Sequence, residues 1–203
     1  MRQSNIYQDK LQSLRQDSLF HLQLSVNLKK HFAELSKFKI LSENILKLMI
    51  REAQHDDIAI ITCMLRRMVE DMAAYGGHAV SKDESDWKEF ANVIENQMTD
   101  KKYQYLMADL NQSKEVVGCT AGEIIILGGV FAPKKILHIS AVYVFPAFRR
   151  SCIASQLLEA LMDWGRTEGC QLCDLNVNVH NPARRLYEKY QFEEFRLQMV
   201  RAL

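Results

Sequence analysis

No stretch constrains the fold of this chain more than Val142-Tyr143-Val144-Phe145-Pro146-Ala147-Phe148-Arg149-Arg150-Ser151-Cys152-Ile153-Ala154. A β-branched and aromatic run stops at a proline, and two arginines follow. A helical pattern then begins, with Ile153, Leu157, Leu158, Leu161 and Met162 on one face. A strand that turns this directly into a helix belongs to an α/β protein. The turn leaves the first backbone N–H groups of the helix without internal partners, at the positive end of its dipole and beside two arginines. A phosphate group fits such a place.

The pattern around this stretch is regular from Met49 onward. Ile50 to Ala53 reads as a short first strand. Asp56 or Asp57 caps a helix with Ile58, Ile61, Leu65, Met68 and Met72 on one face, stopped by Gly76-Gly77. The acidic loop Asp83-Glu84-Ser85-Asp86 leads into a second helix, near Trp87 to Met98, with Trp87, Phe90, Val93 (or Ile94) and Met98 as its stripe. Tyr103 to Leu110 and Glu115 to Leu127 read as strands joined by a turn at 111–114. Ile136 to Val144 reads as a central strand. The helix from Ile153 ends at Gly165 and Gly169. Leu172 to Val179 alternates as a strand, Asn181 caps a last helix with Pro182 at its first position, and Phe192 to Leu203 reads as a final strand. The expected order is β-α-α-β-β-β-α-β-α-β, on a mixed, mostly antiparallel sheet.

Residues 1–48 differ. They hold neither Gly nor Pro and carry eight Lys/Arg against four Asp/Glu. Leu28, Phe32, Leu35 and Phe38 recur at helical spacing. This segment reads as a helical extension to a domain at 49–203. It is expected to dock or to form a homodimer, and its basic excess also suits a membrane surface or a partner.

The 203 residues carry a net charge of +1 with 48% apolar residues. That balance argues against a dedicated nucleic-acid binder and for a globular protein. No apolar run is long enough for a membrane span. The five cysteines (Cys63, Cys119, Cys152, Cys170 and Cys173) are odd in number and irregularly spaced, which suits a reducing cytoplasm. Cys170 and Cys173 form a CxxC without a second pair or a zinc-finger His pair, so no metal is expected.

A second motif is Asn181-Pro182-Ala183-Arg184-Arg185-Leu186-Tyr187-Glu188-Lys189-Tyr190-Gln191-Phe192. Together the two segments resemble the acyl-CoA-binding core of the GNAT superfamily of N-acetyltransferases, over about residues 49–203. The family's basic turn is Arg/Gln-x-x-Gly-x-Gly/Ala; here Arg149 and Ala154 match, and Cys152 replaces the central glycine. In the second motif, Asn-x-x-Ala-x-x-Leu-Tyr-x-Lys-x-Gly-Phe, the residues Ala183, Leu186, Tyr187, Lys189 and Phe192 match. His180 stands at the Asn position, with Asn181 one place later, and Gln191 replaces the glycine.

The resemblance implies a GNAT fold and an acetyl-CoA-dependent N-acetyltransferase. Arg149, Arg150, Ser151, Cys152, Ile153 and Ala154 would hold the pyrophosphate, and the backbone of Val142, Tyr143 and Val144 the pantetheine. The N–H near Tyr143 or Val144 would stabilise the oxyanion. Asn181 would cap its helix and reach the cofactor, and Tyr187 would protonate the departing CoA thiolate.

The diamine and polyamine branch, to which Ile50-Arg51-Glu52-Ala53 and Ala73-Ala74-Tyr75 are loosely similar, carries a Glu-Asp pair where Ser140 and Ala141 stand here. His138, on the same strand, and Glu123, on the one before, are then the candidate general bases. The acidic loop at 83–86 reads either as an attractor for a cationic amine or as a helix cap. The expected acceptor is a primary amine of a small molecule. A protein amine, or a degenerate fold that binds acyl-CoA or a partner without turnover, are the alternatives.

Overall fold

Five strands make one sheet: β1 (Leu48–Glu52), β2 (Tyr103–Leu110), β3 (Glu115–Leu127), β4 (Lys134–Val144) and β5 (Leu172–Leu175), in the spatial order 1-2-3-4-5. The first four pair antiparallel and β5 pairs parallel to β4. Four α-helices accompany the sheet among the described residues: α1 (Ile58–Ala73), α2 (Glu84–Thr99), α3 (Ile153–Thr167) and α4 (Arg184–Lys189). This computed structural model describes residues 48–75, 80–110, 115–130, 132, 134–199 and 201. The extension expected over residues 1–48 lies, apart from Leu48, outside the described residues, as do Gly76-Gly77 and the 111–114 turn.

Alternation along the strands sorts the core into two layers. Tyr105, Met107, Cys119, Ala121, Ala141 and Tyr143 pack against Ile61, Met64 and Leu65 of α1 and Ile94 of α2. Of the two residues left open on the second helix, Ile94 is fully buried and Val93 is exposed. The opposite sheet face is covered by Leu157, Leu158 and Leu161 of α3. A Cβ on Gly118 would meet Leu157, and one on Gly122 would meet Leu161, so small residues on β3 let α3 sit close. Each buried leucine contributes about 2 kcal/mol of transfer free energy.

Two irregularities shape the sheet. The β2–β3 register shifts between Ala108 and Asp109. The β3–β4 register shifts between Ala121, opposite Ala141, and Gly122, opposite Ile139. Ser140 is therefore an unpaired bulge residue, and it is exposed.

Three expectations are corrected. Gly165 does not end α3. It lies inside the helix, where an added Cβ would come within 2.8 Å of Leu137, and Gly169, at φ +78°, follows the helix end. The strand expected over 172–179 pairs only through Leu175. The final strand expected at Phe192 to Leu203 is not formed among the described residues: 192–199 carry no ladder, and Phe195, Leu197 and Met199 are 88%, 78% and 85% exposed. The alternating pattern is present there, but a strand needs a partner as well as a pattern.

Candidate active site

β4 and β5 pair from Ile136–Leu172 to Ile139–Leu175 and then part, while β4 runs on to Val144 against β3 alone. The bulge at Ser140 begins at the point of parting. Beyond it, the side of β4 turned from β3 has no strand beside it among the described residues. The register tells which groups face that opening. Phe145 N–H donates to Val117 O at 3.0 Å and Ala141 O accepts from the Thr120 hydroxyl, so Ala141, Tyr143 and Phe145 point their backbone groups at β3. By alternation, Val142 and Val144 turn theirs to the opening. Of the two candidates for an N–H facing a thioester oxygen, the geometry therefore favours Val144 over Tyr143. The Tyr143 side chain is buried in the α1 layer, stacked edge-on against Phe145.

The opening leads to the basic turn. Pro146–Phe148 form one 3-10 turn and α3 begins at Ile153, with no side chain capping its first N–H groups. These donors point outward at the positive end of a 15-residue helix. Arg150 and Cys152 both take left-handed backbone, at φ 68° and 62°. The glycine expected at position 152 for close amide approach thus has a conformational role too, which Cys152 performs at a cost. Gln191, in the family's other glycine position, is also left-handed, at φ 61°.

The two arginines do different things. Arg149 Nε donates to Val144 O at 2.9 Å, Nη2 pairs with Asp71 of α1 at 2.8 Å, and its guanidinium lies over the Tyr143 ring. It ties the end of β4 to α1. Arg150 is exposed and makes no side-chain hydrogen bond among the described residues. The Ser151 hydroxyl donates to Phe148 O, Ile153 is buried and Ala154 is half-buried.

The second motif forms a turn and then α4, which starts at Arg184, later than Asn181 and Pro182 suggested. Asn181 Oδ1 accepts from Ala183 N–H at 2.9 Å, so its side chain holds the turn. Tyr190 reaches α3 through Glu159, at 2.6 Å, and Ser155 O. Tyr187 lies three residues earlier on the same helix face. It is half-buried, packs edge-on against Phe192, and its hydroxyl has no hydrogen-bond partner among the described residues. Burial pushes its pKa up, which keeps the phenol protonated.

Sequence reasoning missed Asn178. Its Nδ2 donates to Tyr75 O at 3.4 Å while Oδ1 accepts from His180 N–H. With Arg149–Asp71, this links the end of α1 to both sides of the opening. Only a contact across a hundred residues carries that signal.

His138 and Glu123 stand directly opposite one another on β4 and β3, one residue before the β3–β4 register shift. His138 Nδ1 lies 2.7 Å from Asp174 Oδ1 on β5. Glu123 faces the Tyr103 phenol, whose pKa its charge raises.

The acidic loop is taken up locally: Asp83 caps Ser85 N–H, Glu84 pairs with Arg66, and Asp86 accepts from Ser81. All five cysteines are free. Burial raises the Cys170 thiol and pushes Cys173 up to about 12, so neither is activated as a thiolate. Among the described residues no helix is long and apolar enough to cross a membrane.

The model of the acetyltransferase (GNAT) family matches residues 66–192, more than half of the chain. Solved structures share the fold. One is described as a predicted acetyltransferase from Clostridium acetobutylicum with acetyl-CoA: 18% identity, TM-score 0.63, covering 76% of this chain and 96% of that one. Another is glucosamine-6-phosphate N-acetyltransferase from Arabidopsis thaliana: 18%, 0.57, 77% and 98%. A third is an aminoglycoside N-acetyltransferase in complex with CoA: 18%, 0.58, 76% and 94%. No curated protein matches the sequence.

Proposed function

The chain belongs to the GNAT acetyltransferase family, and from that premise we propose that it transfers the acetyl group of acetyl-CoA to a primary amine of a small molecule by direct attack. The observation that carries this reading is the parting of β4 and β5 after Ile139, which ends at an uncapped helix N-terminus. The backbone groups of Val142 and the N–H of Val144 suit the amides of an extended pantetheine arm, while the Val144 carbonyl is taken by Arg149. The α3 N–H groups and Arg150 suit its pyrophosphate, with Ser151, Cys152, Ile153 and Ala154 shaping the turn, Arg149 tying it to β4 and α1, and Asn181 holding the separate turn before α4.

Each remaining step has a group on this chain. His138, beside the bulge, takes the proton of the incoming ammonium; Glu123, facing Tyr103, is the weaker candidate. The Val144 N–H faces the oxygen on which charge develops. Tyr187, held protonated by burial, donates to the CoA thiolate. The non-catalytic alternative loses ground because Cys152 and Gln191 keep the left-handed backbone that glycine would supply. With the acidic loop engaged in capping, the amine's identity is open within the small-molecule class. Five free cysteines suit a cytoplasmic setting.

Calorimetric titration with acetyl-CoA, followed by CoA release against an amine panel, tests the reading. Binding near micromolar, about −8 kcal/mol, with amine-stimulated release is expected. Tyr187→Phe should lower kcat by about tenfold or more while leaving acetyl-CoA affinity unchanged. No binding, or binding with no release from any small amine, would overturn the proposal.

A further inference from the structure

Cross-strand register makes one row of four residues on a single sheet face: Tyr103 of β2, Glu123 of β3, His138 of β4 and Asp174 of β5. His138 is flanked by carboxylates on both sides, and the two are differently engaged. Glu123 is turned to the phenol of Tyr103. Asp174 is hydrogen-bonded to His138 Nδ1 at 2.7 Å. His138 Nε2 has no partner among the described residues. The His138 side chain is 19% exposed, so a path from solvent reaches it, and Asp174 is 57% exposed. A neutral imidazole held by a carboxylate at Nδ1 carries its proton there, which leaves the Nε2 lone pair as the acceptor.

We propose that Asp174 is a positioning residue for the transfer: it fixes His138 in the Nδ1–H tautomer and presents Nε2 to the amine where β4 and β5 part. The inference rests on His138 acting as the base. One proton of the substrate ammonium passes to Nε2, and the resulting imidazolium is stabilised by Asp174 until it returns the proton to solvent. The nitrogen lone pair forms the new C–N bond and the C–S bond breaks. The second proton lost by the nitrogen offsets the one Tyr187 gives to the CoA thiolate. CoA leaves as the thiol, the product is the amide, and one proton is released net.

The test uses the full chain with His138→Gln, Asp174→Ala and Asp174→Glu variants. Long-range 15N–1H NMR on the protein alone reads the tautomer, and steady-state kinetics with acetyl-CoA and the best amine of the panel read kcat and KM. The expected result is an Nδ1–H imidazole in the native protein that becomes mainly Nε2–H in Asp174→Ala. With it should come a loss in kcat of about 10–100-fold, unchanged acetyl-CoA affinity, and partial recovery in Asp174→Glu. A native Nε2–H tautomer would overturn the proposal. So would full kcat in Asp174→Ala where His138→Gln is impaired, although the base assignment would then survive. Full activity in His138→Gln would remove the base assignment and this inference with it. Equal loss of kcat and acetyl-CoA binding without recovery in Asp174→Glu would mark Asp174 as structural.

Discussion

Cys152 holds a left-handed backbone at the one turn where family and chain differ most visibly. A non-glycine residue there costs about 1–2 kcal/mol, and glycine returns part of that through its greater unfolded-state freedom. Cys152→Gly is therefore expected to stabilise the protein by about 0.5–1 kcal/mol, seen as a higher urea midpoint with acetyl-CoA affinity no weaker. A lower midpoint would show that the Cys152 side chain does more than tolerate the turn. Arg51 is the other residue on which much depends. It pairs with Asp57 and Asp109, both nearly buried, at 2.6 Å each, and Asp109 Oδ1 has no hydrogen-bond partner among the described residues. Arg51→Ala would strand two carboxylates, at a cost of about 2–3 kcal/mol, below the fully buried range because Arg51 is partly exposed. The hydrogen bond from Arg51 holds Asp57 below its ordinary 3.8. That stabilisation is present above 3.8 and is lost as pH falls through the folded-state value. The native protein should thus lose stability on the acid side more steeply than Arg51→Ala in urea titrations between neutral pH and pH 3.

Helix α3 shows how an element is fixed by what it touches. Its sequence pattern selects Ile153, Leu157, Leu158, Leu161 and Met162; the first four are buried as expected and Met162 is half-buried. Gly165 looked like a terminator because glycine usually is one. In the fold it is the contact point with Leu137. Gly165→Ala would gain about 1 kcal/mol of helix propensity but would drive a methyl to 2.8 Å from Leu137 Cδ2 and 3.1 Å from its Cβ. A net destabilisation of about 1–2 kcal/mol is expected. A thermal melt at or above that of the native protein would mean that Leu137 moves aside freely. On the other layer, the first-helix stripe holds at Ile61 and Leu65, with Ile58 and Met68 half-buried, but Met72 is exposed and the unselected Met64 is fully buried. α1 packs against both the sheet and α2, so its buried face is wider than one stripe.

At the scale of the whole molecule, the sheet ends at β5, and the alternating segment beyond α4 stays outside it. Phe195, Leu197 and Met199 have the spacing of a strand with one face buried, yet all three are exposed. Leu197→Asp should then change stability by no more than about 0.5 kcal/mol, measured by urea denaturation. A loss of several times that would mean the segment pairs with a sheet edge in solution.

The sequence by itself determined the local elements and their order as far as α4, since turn chemistry, caps and periodicity act within a few residues. It also marked the basic turn, the Tyr187 motif and the two positions where glycine is replaced. The tertiary structure decided what those parts do together. The β-bulge at Ser140 lies where β4 leaves β5, and the register between those two strands brings His138 to Asp174. A contact between α1 and the turn ties Arg149 to Asp71, and another, from beyond β5, brings Asn178 to Tyr75. Each of these depends on which strand or helix lies alongside. A side chain's own neighbours in sequence carry no record of that, so only the packed fold supplies it.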